Sequence, residues 1–136
     1  MTRWTPGATL AVVGFRVGTN PDHEAEVARA TVAHAYLASE GAEVVSAVGR
    51  YLGADPEPCV VVVGPRARIL ALTLGRALSQ ESVYYQSGGR ATLHFLADGY
   101  TVDIGRPVVG PDPMGVGETV AEGRTWHCEL SARMPD

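Results

Sequence analysis

"ESVYYQSGGRATLHFLADGYTVDIG" (residues 81–105) reads as three strands folded back on one another by two glycine-bearing turns. Asp98-Gly99 fits the central positions of a type I′ turn, the strongest short signal for a β-hairpin. On that register Ala97 faces Tyr100, Phe95 faces Val102 and Leu93 faces Ile104, gathering apolar side chains on one face. Leu96 against Thr101 and His94 against Asp103 make the other face. A one-residue slip would mix the two faces, so the alternation itself supports the pairing. At the preceding turn, Ser87-Gly88-Gly89, a two-residue Gly-Gly loop would put Ser82, Tyr84 and Gln86 with the apolar side chains. A three-residue loop with a left-handed glycine instead pairs Tyr85 with Ala91 and Val83 with Leu93, and is preferred. It sets Ser82, His94 and Asp103 in a row across three strands.

Upstream, strand and helix signals alternate. "ATLAVVGFRV" (8–17) is a β-branched, apolar strand. Asn20 then serves as an N-cap with Pro21 at the first helical position, and Asp22 and Glu24 suit the positive helix start. The helix runs to Ser39 with Val27, Ala30, His34, Leu37 and Ala38 on one stripe, and Gly41 ends it. "AEVVSAVGRYL" (42–52) is a second strand and "GADPEP" (53–58) a turn. "CVVVVG" (59–64) lacks polar alternation and reads as a strand buried on both faces. Pro65 opens a second helix, in which Ala67, Leu70, Ala71, Leu74, Ala77 and Leu78 repeat at helical spacing. Gly75 weakens that helix by about 1 kcal/mol relative to alanine, in exchange for close packing. The order β-α-β-β-α-β followed by extra strands predicts an α+β fold, a ferredoxin-like antiparallel sheet with both helices on one face. The core spans 8–106, a Pro/Gly-rich loop or linker 107–123, and an edge strand 124–131, where Trp126, Cys128 and Leu130 alternate with Thr125, His127 and Glu129.

The 136 residues suit one domain able to bury roughly two-thirds of its unfolded surface. A content of 46% hydrophobic and 19% charged residues argues against wholesale disorder, and a net charge of −4 against a general nucleic-acid binder. Two cysteines without a CxxC motif give neither a disulfide framework nor a cysteine-based zinc site. No leader pattern and no apolar run of about 20 residues is present, so a cytoplasmic location off the membrane is expected.

Candidate chemistry falls in three places. The row Ser82, His94, Asp103 invites a nucleophile–base–orienter reading, that of a small hydrolase, although half-exposed sheet faces carry the same residue types for solvation alone. No Gly-x-Ser-x-Gly elbow accompanies it. "VVGPRAR" (62–68) ends a strand and begins a helix, where free backbone N–H groups with Arg66 and Arg68 suit an anion. Neither GxxxxGK[ST] nor GxGxxG occurs. Asp22, His23, Glu24 and Glu26 collect at a helix start, but capping accounts for the acids, and neither metal nor cofactor is expected. Tyr84 and Tyr85 near Arg90 suit stacking on a base, although paired tyrosines are common in strands because they pack well there.

"GTNPDHEAEVARA", "VGRYLGADPEPCVVVVG" and "LGRALSQESVYY" together resemble, over residues 8–105, a group of small bacterial and phage proteins known as a domain of unknown function. Asn20, Pro21 and Gln80 are the matched positions. The resemblance implies a structural or ligand-contacting role for them and, through an accessory origin, capture of a nucleotide signal or of a host protein. The expectation is therefore a binding module, dimeric through its open sheet face, for a small anionic, nucleotide-like ligand or a protein partner. Asn20, Arg66, Arg68, Gln80, Tyr84 and Thr92 are the candidate contacts.

Overall fold

The run CVVVV is where the architecture begins. In this computed structural model, which describes residues 6–129, it lies in β3 (Glu57–Val63), whose central side chains are all buried. β1 (Leu10–Gly14) is buried in the same way. A strand with two buried faces needs apolar cover on both sides. One side here is the bore of a barrel, and the other is a pair of helices, α1 (His23–Ser39) and α2 (Ala67–Ala77).

The remaining strands are β2 (Glu43–Tyr51), β4 (Ser82–Ser87), β5 (Arg90–Phe95), β6 (Thr101–Val109), β7 (Gly117–Ala121) and β8 (Arg124–Glu129). They run β1-β3-β2-β7-β8-β6-β5-β4 round a closed barrel, and β4 returns to pair with β1. Every neighbouring pair is antiparallel. The expected open, ferredoxin-like sheet is thus corrected to a closed eight-stranded β-barrel with two helices. β7 and β8, expected as linker and edge, carry the sheet on until β7 meets β2. Closure also leaves no open sheet face of the kind on which a dimer and a hydrolase site were expected: Ser82 and Tyr84 point into the bore, while Thr92, His94 and Asp103 stand on the outer side of the barrel.

Two cores result. Leu10, Val12, Val45, Ala47, Cys59, Val61, Ala121 and Trp126 pack inside the bore. Ala11, Val13, Phe15, Val60, Val62 and Val83 point outward against Ala33 and Leu37 of α1 and Leu70, Ala71 and Leu74 of α2. Each valine or leucine taken fully out of water contributes about 1.5–3 kcal/mol, so β1 and β3, which serve both cores, hold the molecule together.

Local chemistry accounts for the other departures from expectation. Asp22, not Asn20, caps α1, because its carboxylate accepts from the Ala25 N–H while its own N–H reaches Glu26. Ala33 and Leu37 turn to the barrel while Val27 and Ala38 face solvent. Gly88 and Gly89 both take positive φ, which permits a two-residue turn, so Ser82 pairs with Phe95 and Val83 with His94. At the next turn Gly99 takes positive φ and Asp98 does not, as its carboxylate accepts from the Tyr100 N–H instead. The loop therefore lengthens to Leu96–Gly99, with Phe95 N–H donating to the Tyr100 carbonyl. His94 then faces Thr101, and Thr92 faces Asp103. This displacement by two positions keeps each side chain on its face, which is why the apolar alternation could not detect it.

β6 extends through Val109, and the connection to β7 is tied by Asp112, which accepts N–H bonds from Met114, Val116 and Gly117. Those bonds hold its carboxyl below the usual range. β8 lies between β6 and β7 rather than at an edge. Residues 130 and 131 of the expected last strand lie outside the described residues. Among the described residues, no helix is long and apolar enough to cross a membrane.

Candidate ligand site at the barrel mouth

An eight-stranded barrel has a bore just wide enough to be filled by side chains or to hold one small ligand. Here it is filled at one end only. Gln86 is fully buried there: it donates to the Ala8 carbonyl at 3.1 Å and accepts from the Tyr84 hydroxyl at 2.7 Å. Toward the other end, where β1 and β2 finish and β3 and β4 start, the bore opens into a cavity of about 590 Å³. Arg16, Tyr51, Glu57, Cys59, Gln80, Ser82, Tyr84 and Leu93 line it.

Glycine keeps this space free. Gly14 and Gly49 stand at inward positions of β1 and β2, where a side chain would otherwise project into the bore. A Cβ on Gly14 would stand 2.9 Å from Glu57 Oε1 and 3.2 Å from Gln80 Oε1. On Gly49 it would stand 2.8 Å from Tyr51 Cε2, and on Gly117 3.0 Å from Tyr51 Cδ1. The Tyr51 ring therefore spans both glycines across the rim, with 49% of the residue exposed. Glycine inside a strand costs stability and commonly marks a close approach of backbone or ligand.

The charges are unequal. Arg16 and Glu26 form a buried pair, Nε to Oε2 at 2.8 Å, with the side chains 7% and 5% exposed. Arg16 also donates to the Asp55 and Pro56 carbonyls at 2.9 and 3.0 Å, so four of its five N–H donors are engaged. Gln80 donates to the Arg16 carbonyl at 3.2 Å, which leaves its Oε1 toward Gly14 and the cavity. Among the described residues, Glu57 has neither a hydrogen-bond partner nor an ion pair within 4.0 Å. Burial pushes its carboxyl up, and the positive field of Arg16 opposes that shift. Burial pushes the Cys59 thiol up to about 12, so it is a neutral thiol at physiological pH and no nucleophile. Burial likewise raises the Tyr84 phenol, whose hydroxyl also lies 3.5 Å from Cys128 Sγ.

Three of the sequence-nominated residues, Gln80, Ser82 and Tyr84, come together in this cavity. The others do not. Ser82 faces the bore, whereas His94, itself buried, and Asp103 stand on the outer side of the barrel, so no row of three forms. His94 shares a 3.0 Å hydrogen bond with Thr92 and stands edge-on to Tyr85. Burial, then the charge of Arg68, lowers its pKa. Asp103 accepts from Arg90 at 2.7 Å. Arg66 and Arg68 lie at the start of α2, beyond the closed end of the bore, where Arg66 pairs with Glu40 at 2.6 Å. Asn20 is exposed, beside Gly18 and Thr19 at the cavity rim.

Glu57, Tyr51 and Cys59 escaped the sequence reading because "GADPEP" looked like a turn and Cys59 like plain core. The available signal was a glycine at an inward position in each of two apolar strands. Among the described residues, no group of three or more His, Cys, Asp or Glu is placed to hold a metal ion. The arrangement can bind and orient a small molecule, but no histidine stands beside Ser82 in the cavity lining to act as its base. No family model matches the chain, and no curated protein matches it.

Proposed function

We propose that the protein is a small-molecule-binding barrel that takes its ligand through the open mouth, rather than a hydrolase. The observation that carries the reading is the cavity beside Gly14 and Gly49, above a bore that is otherwise packed. Concave sites lined by apolar and aromatic walls with a few convergent polar groups are the usual form of ligand pockets. Val12, Leu93, Tyr51 and Tyr84 supply the walls, and Glu57, Gln80 and Ser82 the polar groups. A cytoplasmic setting agrees with two free cysteines, Cys59 and Cys128.

The test is a fragment screen by two-dimensional NMR of the isotopically labelled full chain. Binders are expected to shift the backbone amides of Gly14, Gly49 and Tyr51 as one group, saturably. Fragments that bind only elsewhere, or a library that moves none of these amides, would overturn the reading. Turnover of ester or phosphoester substrates that disappears in Ser82→Ala would restore the hydrolase.

A further inference from the structure

We infer that the ligand of the barrel mouth is an organic cation, whose ammonium group sits between the Glu57 carboxylate and the rings of Tyr51 and Tyr84. This rests on the binding-barrel reading and adds the chemical class. The charge count at the mouth decides it. All eleven Lys/Arg side chains of the chain are arginines, and among the described residues Arg16 alone of them lines the cavity. Its guanidinium is already bonded to Glu26 and two carbonyls. The acids are not matched in this way: Glu57 stands in the wall without a hydrogen bond, and exposed Glu81 adds a second carboxylate at the rim.

An anion placed here would meet Glu57 with no free cation among the described lining residues. A neutral ligand would displace water from the carboxylate and return at most a hydrogen bond without a compensating charge, and burying an unpaired charge is among the costliest events in a binding site. A cation reverses both terms. It pairs with Glu57, and the two tyrosine rings present the negative faces that attract ammonium groups. The same reasoning explains why Gly14 is needed: any side chain there would press on the Glu57 carboxylate.

Three probes of one shape separate the possibilities: phenethylammonium, phenethyl alcohol and phenylacetate, titrated against the labelled full chain. Phenethylammonium is expected to shift the amides of Gly49, Tyr51 and Glu57 with an affinity about tenfold above the alcohol, the worth of one charge-assisted hydrogen bond. Phenylacetate is expected to leave them unmoved. Glu57→Gln should bring the ammonium down to the affinity of the alcohol without changing the alcohol itself. Glu81→Gln, at the exposed rim, should change the ammonium less than twofold, and an equal loss there would overturn the assignment to Glu57. If all three probes bind alike, or the acetate binds best, the cation is wrong and the barrel reading stands. If none moves a mouth amide while library fragments do, the class is again wrong. If neither probes nor fragments do, both readings fall.

Discussion

Arg16 and Glu26 show how one residue pair ties a site to its scaffold. The pair joins the end of β1 to the first turn of α1, and Arg16 pins the Asp55–Pro56 turn that leads into Glu57. Removing one member of a buried pair leaves the other uncompensated. Glu26→Gln should cost about 2–3 kcal/mol at neutral pH, somewhat below the usual range because the amide can still accept a hydrogen bond. The sign with pH follows from the direction of the shift. The hydrogen bond from Arg16 holds the Glu26 carboxyl below its ordinary value. Its stabilisation is therefore complete above the unfolded value of about 4.3 and is lost as pH falls through the lower folded one. Urea denaturation at pH 7 and below pH 4 should show the gap between wild type and variant closing with acid; a gap of constant size would remove the pair from the account. Glu57 runs the other way: with its carboxyl raised by burial, it weighs against stability at neutral pH. A group kept in a wall at a cost to the fold is what a binding residue looks like. Sequence alone does not show this, because a glutamate beside two prolines carries no mark of burial.

At the scale of elements, the sequence told more. The extents of α2 and β2, to within two residues, follow from hydrophobic period and from Pro and Gly punctuation, whereas β3 begins two residues earlier than its apolar run. Where the reading erred, a single backbone angle decided. Gly88-Gly89 can both adopt positive φ, whereas Asp98 uses its carboxylate instead, and nothing in residue order ranks those alternatives. Gly75 offers a test of packing against propensity. A Cβ there would come within 2.8 Å of Val83 Cγ1 and 2.9 Å of Leu96 Cδ1, at the seam where α2 lies on β4. Alanine gains about 1 kcal/mol in helix propensity, yet crowding a packed seam costs about 1–3 kcal/mol. Val83 is buried and stiff, so Gly75→Ala should lower stability by roughly 1 kcal/mol net. Thermal unfolding that rises instead would show that the seam yields.

Closure belongs to the whole molecule, and it was the least legible feature. Alternation in β4, β7 or β8 says which side chains share a face, not which distant strand completes the ladder. The pairings β1–β4, β2–β7 and β6–β8 join segments far apart in the chain. An open sheet and a closed one therefore share the same local pattern. Closure does make the two cores interdependent through β1 and β3. Trp126, 2% exposed and remote in sequence from both helices, sits in the inner core. Trp126→Ala should cost about 3–5 kcal/mol, a large part of the stability of a domain this size. Helix content followed by circular dichroism in urea should fall in the same single transition as the barrel's near-ultraviolet signal, at a lower midpoint. Helices that outlast the barrel would show that the cores are separable.

The Tyr51 ring rests on two glycines, a surface without side chains to interlock with it. Clearing the mouth then takes a rotation about side-chain bonds and leaves the main chain in place. Such rotations at exposed residues take picoseconds to nanoseconds, against microseconds to milliseconds for a loop that must open. For a barrel that binds as proposed, access to the bore is then governed by encounter, and the lifetime of a complex by what holds the ligand below the ring.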